Sequence, residues 1–370
     1  MQINGRCPLL VASSIAPKVF EVEENECVAL QGRVDERGAA IKCGELNVSN
    51  TMRVAIGLPS DLGDEHLHLA RQFGCDDVII ASPRIPGDKR WEYEDLARLR
   101  ERVEGFGLRI EAIQNTPIGF INPIRLGLPD RDECIEHYQA TIRNLGRAGI
   151  PMLAYNWRPD QLYRTGTRHG RGGAEVTVFD RALTVERPLT YGREYSAEEM
   201  WANYAHFVKA VMPVAEEAGV RLAVHPDDPP GAAIGGVARI FSSFEGFKRG
   251  AEIADSPAWA ILFCMGCYSE IGGNDYVQTA LRHFGERGQL GYVHFRDVQG
   301  IGDAFAECFI GEGQVDITAA LRTLKDVGYT GCLIDDHVPH LAGDTGWAAR
   351  GRAYSTGYIM GLLRAFNDLT

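Results

Sequence analysis

Four short segments in the C-terminal part of the chain each set a metal-ligand type at the end of a buried-strand pattern. They are AVHPDD with His225, ILFCMGC with Cys264, YVHFRD with His294, and LIDDH with Asp336 and His337. Imidazole, thiolate and carboxylate are all established ligands of divalent transition metals. A lone histidine at a strand end is more often a hydrogen-bonded structural residue, but ligand types on successive strands point to one shared ion. Cys264 and Cys267 also form a CxxC, which would suit a structural zinc or a redox pair. There is no second CxxC, and a strand end suits Cys264 alone. Asp335 and Asp336 should face opposite ways by strand alternation, with Asp336 keeping register with His337. Asp227 and Asp228, between Pro226 and Pro229-Pro230, are expected to shape a rigid loop and orient His225 from behind.

Ligands spaced about 30–40 residues apart need elements that bring strand ends together. From Met52 onward short apolar runs alternate with amphipathic stretches. Strands are expected at Arg53–Leu58, Asp77–Ala81, Arg109–Ile113, Met152–Trp157, Arg221–His225, Ala258–Cys264, Gly291–Arg296 and Cys332–Asp336. A helix near Asp130–Ala148 should stop at Gly149. Another should open on a capping box at Ser196 and Glu199 and stop at Gly219, and Ser242 with Glu245 repeats that signature. Eight β-then-α units predict an α/β fold, a (β/α)₈ TIM barrel over residues 52–370, whose active face lies at the strand C-termini. An open doubly wound sheet is disfavoured, because no strand leads into a Gly-rich phosphate turn; Gly311-Glu312-Gly313 is not one.

Residues 1–51 read as an irregular N-terminal extension, an arm or small β appendage with a strand at Cys27–Leu30 and a turn at Glu36-Arg37-Gly38. Such an arm could reach a neighbouring subunit, and a homo-oligomer is expected. Between Trp157 and Ser196 no element is evident, and long loops of this kind are commonly functional lids. The loop holds Arg158, Arg164, Arg168, Arg171, Arg181, Arg187 and Arg193, no lysine, and five acids. Surface salt bridges or subunit contacts explain most of these arginines. One of them, with Arg164 the candidate, is expected to grip an anionic substrate through its planar fork.

A net charge of −12 argues against nucleic acid or an anionic membrane as partner, since both need a basic face. No apolar run approaches the ~18–20 residues of a membrane span. The segment Pro8–Ala12 is a poor signal peptide. Nine cysteines, an odd number without pairing rhythm, suit the cytoplasm.

His225-Pro226-Asp227-Asp228-Pro229-Pro230, the Cys264-Met265-Gly266 turn, His294-Phe295-Arg296 and Asp336-His337 together resemble the mannonate dehydratases. The likeness runs from about Met52 to the C-terminus and includes Tyr155-Asn156-Trp157 and Arg352-Ala353. It implies a metal-dependent barrel related to the xylose-isomerase-like enzymes. His225, Cys264, His294 and Asp336 would hold Mn²⁺, with Fe²⁺, Co²⁺ or Zn²⁺ as alternatives; ligand softness alone would favour Zn²⁺. His337 would transfer protons and Arg296 would lie near the substrate carboxylate, its bland alternative being a salt bridge with Asp227 or Asp228. Asn156 and Gln114, at other strand ends, would meet sugar hydroxyls.

One departure stands out. Where the family carries a catalytic tyrosine in a Gly-Tyr pair, this chain has Gly346-Trp347, and an indole N–H cannot serve as a general acid or base near neutral pH. The expected function is a hydro-lyase that dehydrates a mannonate-like sugar acid to a 2-keto-3-deoxy acid. Two alternatives are a metal-dependent isomerase or epimerase and a non-catalytic sugar-acid binding protein.

Overall fold

The computed structural model describes residues 51–160, 163–184 and 188–369. The expected strand at Cys27–Leu30 and the N-terminal arm lie outside the described residues.

Strands in chain order are β1 (Arg53–Leu58), β2 (Asp77–Ala81), β3 (Arg109–Gln114), β4 (Met152–Asn156), β5 (Gly166–His169), β6 (Glu175–Asp180) and β7 (Arg221–His225). Then follow β8 (Ala233–Ile234), β9 (Val237–Ala238), β10 (Trp259–Cys264), β11 (Leu290–His294), β12 (Val298–Gln299), β13 (Ala304–Glu307) and β14 (Cys332–Ile334). The α-helices are α1 (Asp64–Gln72), α2 (Tyr93–Gly105), α3 (Ile118–Arg125), α4 (Arg131–Arg147) and α5 (Ala197–Ala218). They continue as α6 (Phe244–Ala254), α7 (Met265–Gly285), α8 (Ile317–Asp326) and α9 (Ala349–Leu369).

Eight strands close a parallel barrel in the order β1-β14-β11-β10-β7-β4-β3-β2. Its interior alternates small and large side chains: Ala55, Ala112, Ala154, Ala223 and Ala260 leave the space that Ile79, Leu262, Tyr292 and Ile334 fill. That is the layered packing of a closed barrel with no pore. The second apolar layer lies between strands and helices, where Tyr204 packs edge-on against Trp157 and Phe241 and accepts the Trp259 indole N–H at 2.8 Å.

The expected limits of β1, β2 and β7 match the structure, while β11 and β14 stop two residues early, at His294 and Ile334. Arg296, Asp336 and His337 therefore lie beyond the ladder, where their directions are set by side-chain partners and not by strand alternation. Asp335 and Asp336 nonetheless part company as alternation suggests, Asp335 toward Arg352 (3.0 Å) and Asp336 toward His294 (3.2 Å).

The stretch after Trp157 is not without elements. β5 and β6 form an antiparallel hairpin that continues through β13 to β12, with Phe179 in register with Phe305. Sequence periodicity misses it because β5, Gly-Thr-Arg-His, is exposed throughout and β6 finds its second partner more than a hundred residues away. The arginines of this stretch pin the sheet down. Arg168 donates to Gln299 (2.5 Å), and Arg181 pairs with Asp303 (2.5 Å). Arg171 pairs with Glu312 (2.6 Å) and lies over Phe309. Arg187 lies outside the described residues.

Two capping details also differ from expectation. Ser196 accepts the Glu199 N–H (3.2 Å), but the Glu199 carboxylate turns to Arg193 and not back to the cap. The cap of α6 is Ser243, which takes the Gly246 N–H (3.1 Å); Ser242 directs its hydroxyl to the Gly231 and Arg239 carbonyls. Gly149 (φ +69°) and Gly219 (φ +64°) adopt the left-handed conformation that ends helices, as expected. Among the described residues no helix is long and apolar enough to cross a membrane.

Candidate metal and proton-transfer site

His225, Cys264 and His294 terminate β7, β10 and β11, which are neighbours in the barrel, and Cys264 stands in register with His294. One ligand atom from each of the three lies within 4.8 Å of the others. Asp336 Oδ2 completes the group 3.2 Å from His294 Nδ1. The four residues singled out for metal thus converge on the C-terminal face.

Neighbouring carbonyls set the tautomers. His225 Nδ1 lies 2.6 Å from the Pro226 carbonyl, which can only accept, so its Nε2 lone pair is left for the site. Asp227 and Asp228 do not orient His225 as expected, because both carboxylates are engaged elsewhere. Asp227 accepts the Phe241 N–H (2.8 Å), and Asp228 turns to two arginines. His294 Nε2 donates to the Gln114 side-chain carbonyl (3.3 Å), which also accepts the Tyr292 hydroxyl (2.9 Å). His294 Nδ1 is then left buried beside Asp336 without an aligned hydrogen bond. A buried ring nitrogen without a hydrogen-bond partner, flanked by a second imidazole, a thiol and a carboxylate, fits a divalent transition cation that takes the place of its proton.

Behind these residues lies a second buried layer. The Arg296 guanidinium is 2% exposed. Its Nε meets Cys264 Sγ (3.2 Å), one terminal nitrogen meets Glu307 (2.8 Å), and the other meets Asp228 (3.1 Å), Glu270 (2.9 Å) and Cys267 (3.4 Å). All three nitrogens are engaged within the protein, so Arg296 faces inward and not toward a substrate carboxylate. Arg164 likewise bridges Asp228 (2.5 Å) and Glu307 (2.6 Å). Asp228, Cys267 and Glu270 could themselves surround a cation, and the one they surround is Arg296. Gly266 permits this: a Cβ there would sit 2.3 Å from the guanidinium carbon.

Charges follow from this packing. Burial pushes the Cys264 thiol up, but a hydrogen bond from Cys267 and the Arg296 cation overcome that and hold it well below the usual thiol range. Cys267 is driven the other way by burial and by the neighbouring sulfur. The CxxC therefore pairs one thiolate, Cys264, with one thiol donor, Cys267. Burial opposes charge on Asp228, yet Arg164 and Arg296 keep it ionised. Glu270 is pushed up by burial and by Asp228. Burial would lower His294, but the Asp336 charge lifts it to about 9; His337 is raised by Asp336 and Glu307 against the same penalty. Without a cation, His294 and His337 are the imidazoles that favour a proton, and a metal on His294 would have to displace one.

His337 adopts φ +47°, a conformation that costs a non-glycine residue about 1 kcal/mol or more. The turn sets its Nδ1 3.2 Å from Glu307 and its Nε2 3.5 Å from Asp336, so the imidazole bridges Asp336 and the buried acid. The other expected site residues lie further out. The Asn156 amide donates to Asn115 (3.1 Å) and accepts from Arg125 (2.9 Å). Trp347 donates its indole N–H to the Gly57 carbonyl (3.1 Å) and lines a cavity beside His337. Sequence reading missed Glu270 and Glu307. The available signal was an acid at a position otherwise patterned for burial, as in Ala304-Phe305-Ala306-Glu307-Cys308-Phe309.

A family model described as D-mannonate dehydratase (UxuA) matches residues 63–191 and 185–370. The mannonate dehydratase of Streptococcus pneumoniae is 31% identical over 324 residues, which cover 79% of this chain and 87% of that protein. Its counterpart from Thermotoga maritima is 30% identical over 353 residues, covering 83% and 96%. The crystal structure of mannonate dehydratase from Streptococcus suis serotype 2 superposes with a TM-score of 0.78 at 30% identity, over 85% of this chain and 95% of that one. With likeness in sequence and in fold running through the whole barrel, this chain belongs to the D-mannonate dehydratase family.

Proposed function

We propose that the protein is a metal-dependent hydro-lyase acting on an aldonic sugar acid, D-mannonate being the first compound to test. The observation that carries this reading is the meeting of His225, Cys264, His294 and Asp336 at the barrel mouth with His337 beside them, in a chain of this family. In the overall reaction the C2–H and C3–O bonds break and a C2=C3 double bond forms. Proton and hydroxyl leave as water, and the enol tautomerises to a 2-keto-3-deoxy acid. A divalent ion held by those four residues, Mn²⁺ before Fe²⁺, Co²⁺ or Zn²⁺, supplies the electrophilic help that a weakly acidic C2 proton needs.

The chain's own groups do the rest. His337 moves the proton through Nε2, while Glu307 holds its Nδ1 and fixes the ring. Arg296 and Cys267 keep Cys264 anionic. Gln114 holds His294 in the tautomer that leaves Nδ1 for ligation.

A second reading, epimerisation without loss of water, is favoured by one observation: the Trp347 indole offers no acid–base group and is engaged by the Gly57 carbonyl. Incubating Mn²⁺-loaded protein with D-mannonate and other hexonates in D₂O separates the two. A 2-keto-3-deoxy product supports dehydration. Deuterium at C2 without that product supports epimerisation, and neither outcome leaves a binding protein.

A further inference from the structure

Between the loop after β1 and the loop after β14 lies a cavity of about 530 Å³. His337 forms one wall, so the cavity opens directly from the proton-transfer residue. Its other walls include Asp61, Glu65, His66, His340 and Trp347. The volume lies in the range of small-molecule sites.

His66, the third residue of α1, is held by two contacts. Its Nδ1 accepts the Gly63 backbone N–H at 3.1 Å, which puts the ring proton on Nε2, and its ring stands edge-on to Trp347 at 4.9 Å. The residue lines the cavity with its ring fixed and its ring proton on Nε2, the nitrogen left unused by the cap. His340 is held there through its backbone, which pairs with Glu175 at the start of β6 (2.9 and 3.0 Å). Asp61 and Glu65 form no ion pair among the described residues, so the cavity carries two carboxylates on its rim.

We infer that this cavity seats the uncharged polyhydroxy tail of the substrate, that His66 Nε2–H donates to a tail hydroxyl, and that Asp61 and Glu65 turn away acids with a second carboxylate. The inference rests on the sugar-acid reading and narrows it to mono-acids with a neutral tail. A donor locked by its own helix cap loses little freedom on binding, so its hydrogen bond favours a chain long enough to reach it. Selectivity against a diacid comes from placing like charge where that acid would end.

Calorimetric titration of the full-length, Mn²⁺-loaded protein carrying His337→Asn, which removes turnover, tests this as binding alone. The probes are D-mannonate, the four-carbon D-erythronate and the diacid D-mannarate. His66→Gln keeps a cap acceptor at the third helical position. It is expected to weaken D-mannonate roughly threefold to tenfold and leave D-erythronate unchanged. Asp61→Asn with Glu65→Gln is expected to strengthen D-mannarate relative to D-mannonate by roughly twofold to fivefold per carboxylate removed, an effect that shrinks with added salt. Equal weakening of the six- and four-carbon acids by His66→Gln would make His66 a cap alone and overturn its role. An unmoved diacid ratio would overturn the charge selection. Tight, His66-dependent D-mannonate binding with no turnover by the parent protein would remove the dehydratase reading and leave the subsite standing, whereas no binding of any probe would sink the subsite.

Discussion

Gly266→Ala should be a damaging change, although it replaces glycine by a better helix former. The added Cβ would sit 2.3 Å from Arg296 Cζ and Nη1 and 2.6 Å from Nε. Ordinary contact needs about 3.5 Å, so the guanidinium must retreat by about 1 Å. Its bonds to Glu307, Glu270, Asp228 and Cys264 are 2.8–3.2 Å long and would pass the limit of a useful hydrogen bond. Breaking a buried ion pair costs about 3–5 kcal/mol, while alanine in a helix offsets about 1 kcal/mol. The net loss is then about 2–4 kcal/mol. Gly361→Ala is the control: it lies in α9 with nothing within 4 Å of its added carbon, and should be neutral or stabilising by up to about 1 kcal/mol. Urea unfolding of both variants against the parent reads the difference. If Gly266→Ala tracks Gly361→Ala in sign and size, Arg296 is not locked in place and the buried layer does not hold the site as described.

Other outcomes follow from the same geometry. His337→Asn suits φ +47°, because asparagine tolerates that region, and should keep bound metal while turnover of the sugar acid falls at least ~100-fold. Loss of metal in that variant would instead make His337 a ligand or a structural support. Gln114→Leu removes the carbonyl that sets the His294 tautomer and should weaken Mn²⁺ by about 10–100-fold in equilibrium dialysis. A change confined to KM for the sugar acid would place Gln114 on the substrate. Asp344 accepts the backbone N–H groups of Leu341, Thr345, Arg350 and Gly351, so Asp344→Ala should cost about 1 kcal/mol at neutral pH. Burial would raise this carboxyl, but those donors lower it. Its contribution is therefore complete above the unfolded value near ~3.9 and fades as pH falls through the lower folded value. Parent and variant should converge in acid; a gap that widens there would refute the sign.

The barrel, and the gathering of His225, Cys264, His294 and Asp336 at its mouth, were legible in the chain because both rest on local pattern. Apolar runs such as Ala223-Val224 and Tyr292-Val293 mark buried strands, and a polar ligand immediately after each marks the mouth where a closed barrel gathers strand ends. Roles that depend on which distant groups meet needed the folded molecule. Arg296 reads as a carboxylate binder from its position after His294, yet burial among Asp228, Glu270 and Glu307 engages every nitrogen inside the protein. Gln114 reads as a sugar contact, yet a residue 180 positions away claims its carbonyl. β5 and β6 were invisible because their partner strand, like the acid Glu307 that it carries to His337, comes from another part of the chain. Periodicity records which face of an element is buried, but the partners of a buried charge are chosen by the long-range packing that encloses it.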